Sequence, residues 1–187
     1  MSTPEVWLAR HGETEWSRDH QHTSTTDLPL TEPGEEAARA LGSTLGDQDF
    51  SLVLTSPLQR ARRTAELAGF GDAEVDDDLI EWRYGEYEGI TTAEIREHVP
   101  GWTVWTHPTP GGETAAQVGE RLDRVVARLR SVEGRALVFG HGHALRALTA
   151  RWLEQEVGDG RHYRLDTATV SVLGYERETP VLLRWNA

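Results

Sequence analysis

Leu8-Ala9-Arg10-His11-Gly12-Glu13-Thr14-Glu15 is the stretch on which the reading of this chain turns. It closes an apolar run, Val6 to Ala9, with the character of a strand. A strand that stops at an Arg-His-Gly turn sets a guanidinium and an imidazole at the carboxyl edge of a sheet, where open α/β folds hold ligands. Arg suits a phosphate because its planar fork donates two parallel hydrogen bonds. A neutral imidazole beside it has a free lone pair and can act as a nucleophile. Gly12 is read as the residue that lets the backbone turn sharply and approach a ligand closely. Alone, the tripeptide fits a turn with one surface histidine; two further clusters change the balance.

In Leu52-Val53-Leu54-Thr55-Ser56-Pro57-Leu58-Gln59-Arg60-Ala61-Arg62-Arg63-Thr64-Ala65, a second apolar strand runs into a turn and then a helix. Ser56 is placed as the N-cap and Pro57 as the first helical residue. Arg60 then falls in the first turn and leans back over the sheet edge, while Arg62 and Arg63 belong to a solvated face. In Ala136-Leu137-Val138-Phe139-Gly140-His141-Gly142-His143-Ala144-Leu145-Arg146, a third strand ends in a glycine-flanked histidine before another helix. A parallel sheet brings Arg10, His11, Arg60 and His141 to one edge.

The remaining chain alternates in the same way. Thr31-Glu32-Pro33-Gly34 opens a helix with Ala37, Ala38, Leu41 and Leu45 on one face, after a long loop from about 11 to 31. A short strand near 73–76 precedes Asp76-Asp77-Asp78, read as a solvated turn, and a helix near 91–98 ends at Val99-Pro100-Gly101. Residues 100–112, rich in Pro, Gly and Trp, read as a loop. A helix over 113–131, a strand over 135–140, a helix over 143–154 and two closing strands, Thr169–Leu173 and Val181–Leu183, complete the order. The expected fold is α/β, a three-layer sandwich with a mostly parallel central sheet and helices on both faces. The 187 residues suit a single domain, with a small cap-like insertion around 82–113.

The net charge of −12 argues against a nucleic-acid partner. Every basic residue is Arg, and clustered Arg with imidazoles can still form a positive pocket in an acidic protein. No apolar run approaches the length of a membrane span and no basic-then-apolar leader is seen, so a cytoplasmic protein without a membrane partner, monomeric or homodimeric, is expected. The absence of Cys excludes disulfides and thiolate chemistry.

Arg10-His11-Gly12, Ser56-Pro57 with Arg60-Ala61 and Thr64-Ala65, and His141-Gly142 together resemble the histidine phosphatase superfamily, also called phosphoglycerate-mutase-like. Glu81-Trp82-Arg83-Tyr84-Gly85-Glu86-Tyr87-Glu88-Gly89 is similar to its acid/base motif. That motif, with Trp102-Thr103-Val104-Trp105, Gln21 to Thr31, and Gly140 to Arg146, resembles the branch of actinobacterial broad-specificity acid phosphatases and fungal sedoheptulose-1,7-bisphosphatase. The resemblance implies that His11 attacks phosphorus and becomes phosphohistidine, that Arg10, Arg60 and His141 hold the phosphoryl oxygens, and that Glu81 moves the proton. No cofactor and no metal are implied, and the partner is a small phosphorylated metabolite. Ser17 stands where many members carry an Asn, and Ser24 where they commonly carry a Gly whose N–H faces the substrate. Ser17 and Thr23 are candidate phosphate donors, with turn formation as the competing reading. Trp82, Tyr84, Trp102, Trp105 and His143 are candidates for the substrate pocket, with core packing as the competing reading for the aromatics. His20, His22, His98, His107 and His162 are assigned to the surface.

Other readings are a metal-dependent hydrolase using His141 and His143, a non-catalytic binding member, and a bisphosphoglycerate-dependent phosphoglycerate mutase. Mutases hold their second acidic group with a pair of adjacent Arg in the cap region, and residues 102–108 here contain none.

Overall fold

The computed structural model describes residues 3–187. Strands β1 (Glu5–Arg10), β2 (Leu52–Thr55), β3 (Glu74–Val75), β4 (Arg135–Gly140), β5 (Val170–Glu176) and β6 (Thr179–Arg184) form one sheet in the order β3-β2-β4-β1-β5-β6. β3, β2, β4 and β1 run parallel; β5 and β6 close the sheet as antiparallel strands. The helices are α1 (Glu15–Arg18), α2 (Glu32–Leu45), α3 (Gln59–Leu67), α4 (Thr92–His98), α5 (Ala115–Arg130) and α6 (Gly142–Trp152).

Side-chain alternation along the strands makes two cores. Val6, Leu8, Leu54, Ala136 and Val138 pack with Val118, Leu122, Val125, Leu145 and Leu148 of α5 and α6. Trp7, Ala9, Leu137, Phe139 and Val172 face Leu41, Leu45, Ala65 and Ala68 on the side of α2 and α3. Both faces are therefore covered, as a mostly parallel sheet requires. Register places Arg10 opposite Gly140 and Thr55 opposite Phe139, so β1, β2 and β4 end at one level. The chain leaves β1 toward β2, and β4 later fills the slot between them, which makes this edge the point where strand order reverses.

Several expectations are corrected. The helix after β2 begins at Gln59, not Pro57, and its N-cap is Leu58, which makes no side-chain cap. Ser56 is drawn instead toward His141, as described below. The loop from 11 to 31 contains the short α1, stabilised by a capping box between Thr14 and Ser17. Asp77–Leu79 is a 3₁₀ turn capped by the Asp76 side chain, and Asp78 pairs with Arg124 of α5, so the acidic run is not simply a solvated turn. Thr31, Thr91 and Thr114 cap α2, α4 and α5 through the N–H groups of Gly34, Glu94 and Gln117.

Gly12 serves a purpose other than the one expected. A Cβ there would lie 2.4 Å from the carbonyl oxygen of Gly34, and a Cβ on Gly34 would lie 2.2 Å from that of Glu13. The two glycines let the first turn of α2 pack backbone to backbone on the turn after β1. Gly34→Ala is expected to destabilise the protein by about 1–3 kcal/mol, the usual cost of overpacking; a lowered urea midpoint at constant slope would confirm it.

Candidate active site

The end of β1 is held from three sides. His11 N–H donates to Gly140 O of β4 at 3.0 Å, and His11 O accepts from Ala168 N–H at 3.1 Å. Gly12 N–H donates to the Thr64 hydroxyl of α3 at 3.0 Å. Within this frame His11 Nδ1 lies 2.6 Å from Gly12 O. A carbonyl only accepts, so Nδ1 carries the proton and Nε2 keeps its lone pair. Burial, with Arg60 and Arg10 nearby, holds the His11 pKa well below the usual histidine range. The ring is therefore neutral, with Nε2 unprotonated.

Arg10 lies beside it with its guanidinium against Gly142. Arg10 NH1 donates to Leu165 O at 2.5 Å, but its buried Nε finds no partner. An unmatched buried N–H on a cation is a donor that an anion in the adjoining cavity can take. Arg60 is fully buried and largely matched within the protein. Its NH1 donates to Thr26 O at 3.1 Å and its NH2 to Ser24 O at 3.0 Å. Its Nε donates to His141 Nδ1 at 3.1 Å. That leaves His141 Nε2–H to donate to Ser56 Oγ at 2.7 Å. Burial, followed by Arg60, pushes the His141 pKa well down, so it too is neutral. The rings of His11 and His141 are 5.2 Å apart.

Glu81 closes the opposite wall. Its carboxylate accepts from His143 N–H at 3.0 Å, Ala144 N–H at 2.7 Å and Trp82 N–H at 2.9 Å. Its negative charge therefore rests on the N-terminus of α6, whose N-cap His141 offers no side-chain cap. Tyr84, kept protonated by burial and by the charge of Glu81, reaches His143 Nδ1 at 2.5 Å. His143 is held neutral by burial and by Arg146.

These groups surround a cavity of about 260 Å³. Arg10, His11, Ser17, Thr23, Glu81, Tyr84 and His143 of the sequence candidates line it. Arg60 and His141 lie directly behind His11. Ser17 contributes mainly to the turn: its hydroxyl accepts from Thr14 N–H and donates to Thr14 O. Thr23 donates to Gln21 O at 3.1 Å. Ser24 is not in the wall, because Glu88 takes both its N–H and its hydroxyl. Trp82 is buried with its indole N–H on Glu113 O, and Trp105 stands behind His143, so neither ring lines the cavity. A larger cleft of about 610 Å³ beside α3 holds no candidate residue except through the flank of its helix.

Several lining residues escaped the sequence reading, His22 and Arg146 foremost among them. His22, assigned to the surface, is buried, donates from Nδ1 to Ile90 O at 2.8 Å, and packs edge-on against Tyr84 and Trp102. No periodicity marks it, since it sits in an irregular loop. Arg146, four residues into α6, stacks over Trp105 at 4.7 Å and donates to the carbonyls of Gly160 and Arg161. Among the described residues no carboxylate forms an ion pair with it. Its i, i+3 spacing from His143, which puts both on one face of α6, was a usable signal.

Burial of neutral histidines sets a pH dependence. In the unfolded chain each takes up a proton as pH falls through about 6.5, whereas His11, His141 and His143 resist protonation to lower pH. The unfolded state then binds more protons, and stability falls on acidification by about 1.4 kcal/mol per pH unit for each such histidine. Urea unfolding between pH 7.5 and 5 should show a shallower slope for His143→Gln than for the wild type; identical slopes would refute the assignment.

Comparison with known proteins agrees with this geometry. The family model of the histidine phosphatase superfamily, branch 1, matches residues 6–187. An acid phosphatase of Mycobacterium tuberculosis is 42% identical over 173 residues, covering 90% of this chain and 85% of that protein. Sedoheptulose 1,7-bisphosphatase of Saccharomyces cerevisiae is 39% identical, covering 80% and 68%. A solved structure of a Mycobacterium tuberculosis open reading frame superposes with a TM-score of 0.94 at 38% identity, covering 99% of this chain and 98% of that one. A mycobacterial glucosyl-3-phosphoglycerate phosphatase solved with vanadate gives 0.88 at 28% identity, with both chains fully covered.

Proposed function

The chain belongs to the histidine phosphatase superfamily, and on that premise we propose that it hydrolyses small phosphate monoesters through a phosphohistidine on His11. The observation that carries the reading is the tautomer of His11: Nδ1–H is fixed on Gly12 O, which leaves Nε2 unprotonated, and the adjacent Arg10 keeps an unmatched Nε–H. Nε2 attacks phosphorus as the ester P–O bond breaks. Arg10 meets the phosphoryl charge directly, while Arg60 and His141 supply the field behind it. Glu81, after taking up a proton from solvent, gives it to the leaving oxygen, then takes one from the water that attacks phosphohistidine. That second step releases phosphate and restores His11. No metal is needed, and the donor set does not suit one. Both ring nitrogens of His141 are engaged, and among the described residues no three His, Asp or Glu side chains converge.

Residues 82–113 act in this reading as a cap. Glu88 fixes the loop at Ser24 and Thr26, and Gly89 and Ile90 bond to His22. The acid phosphatase and sedoheptulose bisphosphatase relatives favour phosphorylated metabolites of broad or sugar type as substrates. Arg146 gives the cavity a further cation, which suits a substrate with a second anionic or hydroxyl-rich end. A cytoplasmic location and a monomeric or homodimeric state complete the proposal. No helix among the described residues is long and apolar enough to cross a membrane.

Two measurements test this. Brief exposure to a labelled phosphate ester and quenching should leave acid-labile, base-stable label on wild type and none on a folded His11→Ala variant; label elsewhere would refute the nucleophile. A probable phosphoglycerate mutase of Salmonella is 28% identical, so 3-phosphoglycerate should be assayed with and without 2,3-bisphosphoglycerate. Because residues 102–108 contain no Arg, phosphate release is expected to outrun formation of 2-phosphoglycerate; the reverse order would establish a mutase.

A further inference from the structure

Glu81 sits in a segment without regular secondary structure, between the 3₁₀ turn Asp77–Leu79 and a second one at Gly85–Tyr87. A proton-transfer group on such a segment is useful only if its backbone is fixed. The fixing element is a buried ion pair from outside the cavity. Arg121 of α5 binds Glu113 through a two-pronged contact, Nε to Oε1 at 2.9 Å and NH2 to Oε2 at 3.0 Å. Both side chains are less than a tenth exposed.

The rest of the pair's hydrogen-bonding capacity goes to the two sides of Glu81. Arg121 NH1 donates to Asp78 O at 2.7 Å and to Ile80 O at 2.9 Å, immediately before it. Glu113 Oε2 accepts from Arg83 N–H at 3.0 Å, and its backbone oxygen accepts from the Trp82 indole at 2.9 Å, immediately after it. The backbones of Arg83 and Glu113 are also joined, Glu113 N–H donating to Arg83 O at 2.9 Å. A buried ion pair is weak evidence for stability, since apolar replacements often serve as well. An apolar pair here would leave the carbonyls of Asp78 and Ile80 and the N–H of Arg83 without partners on either side of the carboxylate.

We propose that the Arg121–Glu113 pair is a positioning device for Glu81, setting its carboxyl at the distance from the leaving oxygen that proton transfer requires; this rests on the reading of Glu81 as the proton carrier. Neither residue touches the substrate. Loss of the pair should therefore act on protonation of the leaving group and spare phosphoryl binding.

The test uses p-nitrophenyl phosphate, whose leaving group needs little protonation, and a simple alkyl phosphate, whose leaving group needs it fully. Wild type, Arg121→Met, Glu113→Gln, Glu113→Ala, Glu81→Gln and the double variant Arg121→Met/Glu81→Gln are compared, with folding checked by circular dichroism. All losses are compared as kcat/KM, which reports the steps up to loss of the leaving alcohol and not the hydrolysis of phosphohistidine common to both esters. Arg121→Met is expected to lower kcat/KM on the alkyl ester by roughly 10–100-fold, the scale of an ångström-level misplacement, with little change in kcat/KM on p-nitrophenyl phosphate. Glu113→Gln, which keeps an acceptor for Arg83 N–H, should lose less than Glu113→Ala. The double variant should be no slower than Glu81→Gln on the alkyl ester. If Arg121→Met does not fold, Arg121→Lys is expected to show the same selective loss in milder form. An equal loss on both esters, or additive losses in the double variant, would overturn the proposal and leave the pair a purely structural role. If Glu81→Gln itself loses equally on both esters, the acid reading falls and this proposal with it. If Glu81→Gln is selective and Arg121→Met is not, only the positioning role falls.

Discussion

Burying guanidinium ions without carboxylate partners is the constraint around which this molecule is arranged. Arg60 is wholly enclosed, and its charge is met by carbonyl dipoles of Thr23, Ser24 and Thr26 and by one imidazole nitrogen. Dipoles can do this only if they are held in place, because a mobile loop would surrender the interaction to reorganisation. The irregular stretch before α2 is accordingly fixed by Glu88, which binds Ser24 and Thr26 from the far side. A carboxylate directly on Arg60 would cancel the positive field; one placed behind the loop preserves it. Arg10 follows the same logic with one donor left unmatched.

The same field explains why the imidazoles are neutral. Each lies in a buried site next to cations, and both effects disfavour the protonated ring. Neutrality gives His11 its lone pair and lets His141 accept from Arg60. Among the described residues Glu81 is the carboxylic acid that lines the cavity, and it is anchored on the first N–H groups of α6 rather than on either Arg. Opposite charges thus share one cavity without collapsing into an ion pair that a substrate would have to break.

What the sequence disclosed and what it withheld follow from this arrangement. Strand ends are legible because an apolar run that stops at Arg-His-Gly, Ser-Pro or Gly-His-Gly has both a period and a boundary, and the parallel register does the rest. Helix starts were legible where Thr caps them, as at Thr31, and misread at Ser56, whose hydroxyl is claimed by His141 instead of by a helix. Residues in irregular segments gave no periodic signal. Ser24 was placed against the substrate although Glu88 occupies it, and His22 was placed on the surface although it is packed under Tyr84 and Trp102. Gly12 was assigned to ligand approach, but the close partner is another stretch of backbone. In each case a contact between segments far apart in sequence decided the outcome.

The position of β1 in the sheet has a consequence for the order in which the protein can assemble. Among the described residues β1 pairs with β4 and β5, so the first strand partner along the chain for the strand that delivers His11 begins at Arg135. During synthesis Val6 to Ala9 must wait, unpaired and apolar, until most of the polypeptide has been made. Local units such as α2 with α3 can form early, whereas closing the central pairing carries the loop entropy of well over half the chain. His11 is thus among the last groups to be set in place, and a chain that stops short of β4 lacks both the strand that pairs with β1 and His141.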